Sequence, residues 1–168
     1  MTEIAELVDR LEIGELVARF FVSLDERQAD PEAHPFDEAW ARRFFTEDVR
    51  FRFPVGTFAG RDVAPKMQNL TMDMWGRTQH LAGIPLVEVD GDRASVRWDA
   101  LHTHVQLDST QAARADRPGE VMQSGGYYDA EVVRTEDGWR FRVVVLTVAW
   151  TTGKPPIRNP ELARLSGS

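Results

Sequence analysis

The chain has 168 residues, of which 42% are hydrophobic and 28% charged, with a net charge of −7. That is enough material for one soluble domain around one core. The acidic balance and the lack of any basic stripe exclude a nucleic acid or an anionic membrane surface as partner. With no cysteine, a disulfide framework, a thiol nucleophile and a thiolate metal site are excluded too. The opening run Met1–Glu6 has neither the basic start nor the apolar stretch of a secretion leader. No apolar segment reaches the length of a bilayer span. A cytoplasmic protein is the expectation.

Ile4, Leu7, Val8, Leu11, Ile13, Leu16, Val17, Phe20, Phe21 and Leu24 fall at helical spacing, so the first segment reads as a long helix, bent or divided at Gly14. Asp30-Pro31 and His34-Pro35 end it. A second, shorter helix carries Phe36, Trp40, Phe44 and Phe45 on one side, with Asp37 as its cap. Val49–Phe53 alternates strictly and predicts a strand, broken by Pro54 and Gly56. A third helix is expected from about Val63 to Trp75.

The second half reads as sheet. The predicted strands are His80–Val89, Arg93–Leu107, Val121–Thr135 and Trp139–Trp150. Asp90-Gly91-Asp92 and Glu136-Asp137-Gly138 are hairpin signals. The polar stretch Asp108–Gly119 lacks period and reads as a mobile loop. A single domain over 1–152 and an irregular tail over 153–168 follow. Helices first and long antiparallel strands after them imply an α+β protein. Strands this long must curl, and a curled sheet covered by helices makes a cone around a deep apolar pocket.

Three of the four histidines, His80, His102 and His104, lie in this sheet. Histidine titrates nearest neutrality, so their clustering on apolar strands suggests acid–base work. By period-two alternation His102 and His104 share a face with Ala94, Val96, Trp98 and Ala100. Asp25 projects from the apolar side of the first helix, where a carboxylate is costly unless paired. Tyr128 shares a face with Ala130 and Val132. If that face is inward, the phenol can donate to a carbonyl oxygen, whereas a register shifted by one would put Asp129 there instead. The three histidines would also suit an open zinc site, but no carboxylate-histidine motif accompanies them and no metal is expected.

Several phrases carry a family resemblance: Ser23-Leu24-Asp25, Phe44-Phe45-Thr46-Glu47-Asp48-Val49, Thr78-Gln79-His80, Val89-Asp90-Gly91-Asp92 before Ala94, and Asp137-Gly138-Trp139-Arg140-Phe141. In order and spacing, from Ile4 to Trp150, the chain resembles the SnoaL-like branch of the nuclear transport factor 2-like superfamily, nearest to scytalone dehydratase-like enzymes. The resemblance implies a cone-shaped, cystatin-like α+β barrel with a metal-free hydrophobic pocket. It places an orienting aspartate at Asp25, the histidine it orients at His104, and a second histidine across the pocket at His80. Two tyrosines of the dehydratases do not carry over. Their places fall on Leu24 and Phe53, which disfavours scytalone as substrate. In this family the third helix forms a lid-like wall, so Trp75 at its end is an expected substrate contact. The nearby Met67, Met72 and Met74 would let that wall adapt. The remaining expected contacts are Leu24, Trp40, Phe53, His102 and Tyr128.

The function expected is a cofactor-independent dehydratase, isomerase or cyclase for a hydrophobic cyclic ketone of polyketide or terpenoid type. A non-catalytic subunit or a hydrophobic-ligand-binding module of the same fold is the alternative. An exposed face of the sheet implies a homodimer or higher homo-oligomer.

Overall fold

In a computed structural model, which describes residues 3–166, the chain opens with one continuous helix, α1 (Glu3–Ala29). Gly14 neither ends nor divides it. The leader reading over Met1–Glu6 begins outside the described residues, and the predicted tail ends outside them. The buried stripe of α1 runs from Ile13 through Leu16, Val17, Phe20, Phe21 and Leu24. The earlier apolar residues do not extend that stripe: Ile4, Leu7, Val8 and Leu11 are exposed. They face away from the sheet, on the side of the helix opposite the buried Asp9, which accepts from Arg134 at 2.6 Å and from the Trp139 indole at 3.3 Å, and helical spacing alone does not tell which face is covered.

Asp37 caps α2 (Glu38–Phe44) by accepting from the Trp40 backbone N–H at 2.7 Å. Phe36 precedes this helix and Phe45 opens β1 (Phe45–Phe53), yet both are buried beside Trp40 and Phe44. A short strand not predicted from sequence, β2 (Gly56–Ala59), folds back on β1. Next, α3 (Ala64–Met72) ends three residues before the expected boundary. Trp75 therefore does not close a helix but opens β3 (Trp75–Ala82). The single strand expected over His80–Val89 is two strands, β3 and β4 (Leu86–Asp90). Gly83 and Pro85 lie in the gap. Proline has no N–H for the ladder, and the Gly83 N–H is taken by the Asp99 carbonyl at 2.7 Å.

β5 (Arg93–Gln106), β6 (Val121–Thr135) and β7 (Gly138–Thr152) are the long strands. Gly91 and Gly138 adopt positive φ at the two hairpins, as such tight turns require. The segment read as a loop contains α4 (Asp108–Arg114). Its Gln111 is buried and bonds the Gln106 carbonyl at 2.7 Å and the Gly119 N–H at 2.9 Å, tertiary contacts that periodicity does not register. The tail likewise is not wholly irregular. It carries α5 (Pro160–Leu165), whose Leu162 is buried.

The strands form one curved, mixed, unclosed sheet in the order β2-β1-β7-β6-β5-β3, with β4 also pairing β5. Among the described residues, only β1 and β7 run parallel. A register shift at Gly125/Gly126 bends β6. The concave face packs on α1 and α2 through an aromatic core of Phe20, Trp40, Phe44, Phe45 and Phe141. No helix is long and apolar enough, among the described residues, to cross a membrane.

Candidate active site

Register brings the histidines together. His80 on β3 lies opposite His102 on β5, and His104 lies opposite Thr78. Paired residues share a face and stand close, so all three imidazoles crowd the concave side. Ring centroids are 5.4 Å apart for His80–His102, 5.3 Å for His80–His104 and 6.2 Å for His102–His104.

The last turns of α1 lie against β3. Asp25 there accepts three hydrogen bonds: the His80 backbone N–H at Oδ2, 2.8 Å, and the Thr78 hydroxyl and His80 Nδ1 at Oδ1, 2.8 and 2.6 Å. Gln28 Nε2, one turn on, bonds the Trp75 carbonyl at 2.6 Å and fixes the same approach. Burial alone would raise the Asp25 carboxyl, but the hydrogen bonds and charge of His80 and the Thr78 hydroxyl outweigh it and hold the group below its usual value. An ionised carboxylate at Nδ1 requires the proton on that nitrogen. Nε2 is then left as the basic atom of His80.

The aspartate thus meets His80, not His104 as the resemblance implied. Asp25 sits beside β3, the edge strand, whereas His104 is one strand further in. His104 instead stacks on Trp75, with centroids 4.5 Å apart and planes 15° from parallel. Its buried Nδ1 has no hydrogen-bond partner among the described residues. Burial, joined by the neighbouring imidazoles, pushes His104 down to about 3, so it is neutral near pH 7.

His102 is tied on both sides, Nδ1 to Ser124 Oγ at 3.1 Å and Nε2 to the Tyr128 hydroxyl at 3.2 Å. Burial and then His80 push it down to about 4. Tyr128 faces inward and stacks on Trp98 at 4.8 Å. Burial raises its phenol well above the usual range, so it stays protonated. Asp129 points outward to Arg97.

These groups open onto a cavity of about 330 Å³, at the lower end of the roughly 300–1,000 Å³ usual for small-molecule sites. His80, His102, His104 and Tyr128 line it, with Leu24, Phe53 and Trp75 among the apolar walls. Trp40 does not. It is buried in the aromatic core, its indole N–H donating to Ser23 Oγ at 3.0 Å, so the expectation that it touches substrate is corrected. Thr78 and Ser124 were missed by sequence reasoning. Thr78 was findable, being two residues before His80 and so on the same face. Ser124 needed the β5–β6 register, which sets it opposite His102. Among the described residues no three His, Asp or Glu side chains are grouped to hold a metal ion.

A curved mixed sheet closed by an N-terminal helix over such a cavity is the nuclear transport factor 2-like architecture. The SnoaL-like domain family matches residues 5–145, and the chain belongs to that family. An uncharacterised protein of Mycobacterium tuberculosis is 32% identical over 144 residues, covering 83% of this chain and 85% of its own. Similar solved structures include a protein of Novosphingobium aromaticivorans provisionally named a scytalone dehydratase, with TM-score 0.74, 23% identity, and 92% of this chain and 93% of that one covered. A hexachlorocyclohexane dehydrochlorinase of Novosphingobium barchaimii has TM-score 0.72 at 17% identity, covering 94% and 98%. A nuclear transport factor 2-like protein of Salmonella enterica has TM-score 0.69 at 20% identity, covering 88% and 96%. At these identities the structures establish a shared fold.

Proposed function

We propose that the cavity is the active site of a cofactor-independent acid–base enzyme, a lyase or isomerase acting on a hydrophobic cyclic ketone. The observation that carries this reading is the Asp25–His80 pair, which leaves one imidazole nitrogen basic at the wall of an apolar cavity. The kinship in fold with a dehydrochlorinase and a provisionally named dehydratase supports elimination over other chemistries.

His80 Nε2 removes a proton from the carbon next to the carbonyl. The C–H electrons form an enolate, and Asp25 stabilises the imidazolium that results. Negative charge builds on the carbonyl oxygen, where preorganised hydrogen-bond donors stabilise it. His104 supplies one, since its Nδ1 has no hydrogen-bond partner among the described residues and it carries no charge near pH 7. Tyr128 supplies the second when His102 donates Nε2–H to the phenol oxygen and accepts from Ser124 at Nδ1, which frees the phenol proton. The enolate then re-forms the carbonyl and a new C=C bond, expelling the β-hydroxyl, which takes the proton from His80 and departs as water. In an isomerase the same proton returns at another carbon. Leu24 and Phe53 offer no hydroxyl to hold a water at the carbonyl, so scytalone itself is disfavoured. Homo-oligomer formation belongs to the same proposal, since Leu81, Ile84, Leu86 and Trp150 expose large apolar surface.

The test is turnover of a panel of β-hydroxy cyclic ketones, followed by the absorbance of the enone formed. Replacing His80 with alanine should cost at least about 10²-fold, the contribution of one positioned base. A variant that turns over as fast as the wild type, or tight binding of the panel with no turnover by either, would replace catalysis with ligand binding.

A further inference from the structure

We propose that the substrate of this cavity carries a carboxylate on a compact apolar ring, and that Arg158 receives it. The proposal rests on the reading of the cavity as an active site and names its substrate class. Among the described residues that line the cavity, Arg158 is the only basic side chain apart from the histidines, and none is an aspartate or glutamate. The walls are otherwise apolar or neutral. Among the described residues no carboxylate pairs with Arg158, although the chain carries 27 acidic residues against 20 basic ones. Ion pairs occupy Arg27, Arg61, Arg134 and Arg142 elsewhere in the molecule.

Arg158 is not on a loose end. The chain before it is tied down by Gln106 Nε2 to the Lys154 carbonyl at 2.6 Å, by Arg114 Nη1 to the Pro155 carbonyl at 2.8 Å and by an ion pair between Lys154 and Asp116. Pro155 and Pro156 stiffen the approach. The next residue, Asn159, caps α5 by accepting from the Glu161 N–H at 2.9 Å. Glu161 pairs with Lys66 on α3 at 2.6 Å. The backbone of Arg158 is thus held between two anchors at the rim of an apolar cavity, and its guanidinium is a fork for a planar anion. The apolar ring would enter towards the imidazoles while the carboxylate stays at the exposed rim, where desolvation costs little.

The experiment is calorimetric binding of naphthoate and tetralin carboxylate, each beside its uncharged primary amide, to the full chain and to Arg158→Gln and Arg158→Lys. The acids should bind about tenfold tighter than the amides, the size of one charge-assisted hydrogen bond. Added salt should narrow the gap. Arg158→Gln should erase the preference by weakening the acids alone, and Arg158→Lys should keep part of it. Equal affinity for acid and amide, an acid preference that survives Arg158→Gln, or no binding by either acid overturns the proposal. The readout is binding, so it separates from the catalytic reading. Arg158-dependent acid binding in a protein that turns over no acid-bearing ketone keeps the anion site and removes the chemistry.

Discussion

Asp25 acts on the chemistry through the proton it holds on His80 Nδ1. Asp25→Asn keeps the shape but loses the charge that favours the imidazolium, so kcat should fall about 10²–10⁴-fold with little change in KM, measured as initial rates. Thr78→Val removes one of the three bonds to the carboxylate and should cost less. The buried imidazoles also set the pH response of stability. The folded values of His102 and His104 lie near 4 and 3, below the ordinary 6.5. As pH falls below about 6.5 the unfolded chain takes up protons that the folded chain refuses, and stability drops until the folded values are reached. Asp25 adds to this at lower pH. Its folded value is depressed, so its stabilisation is present above the ordinary 3.8 and is lost as pH falls through the folded value. Urea midpoints between about pH 7 and pH 4 should decline less steeply for His104→Gln than for the wild type.

Among the elements, β6 controls the shape of the cavity. It carries Ser124 and Tyr128 on either side of the bulge at Gly125/Gly126. A Cβ on Gly126 would stand 2.1 Å from the Thr147 carbonyl oxygen, which is backbone and cannot swing aside. Gly126→Ala should therefore cost about 1–3 kcal/mol, as overpacking does, and shift the urea midpoint. Because the bulge aims the strand that holds Tyr128, the same variant should lose ligand affinity beyond its loss of stability. The α1–β3 contact is the second such element, since it delivers Asp25, Gln28 and Arg27 to residues of β3 and the turn before it.

For the molecule as a whole, the exposed Leu81, Ile84, Leu86 and Trp150 do not line the cavity. Ile84 is 93% exposed and Leu86 71%. Covered by a second copy, they would move little towards water on unfolding of the monomer and much on dissociation. Sedimentation velocity of the wild type should show a homo-oligomer, and the double variant Ile84→Asp, Leu86→Asp should sediment as a monomer. A wild type that is monomeric at every concentration removes the homo-oligomer from the proposal.

How much of this was legible beforehand depends on the range of the physics involved. The α+β order, the Asp37 cap, both hairpins and the inward face of β5 follow from neighbours a few residues apart, where turn chemistry and two-residue alternation operate. The convergence of the histidines with Asp25 followed only by family resemblance, and that assigned the aspartate to the wrong imidazole. The choice between His80 and His104 is made by which strand lies against the end of α1, and local pattern carries no record of it. Trp75 changed from helix end to strand start, and Trp40 moved from cavity wall to core, for the same reason. Residue types and their spacing determined what the chain could place on each face. Strand register and the seat of one helix, set by contacts across more than fifty residues, decided which of those groups meet.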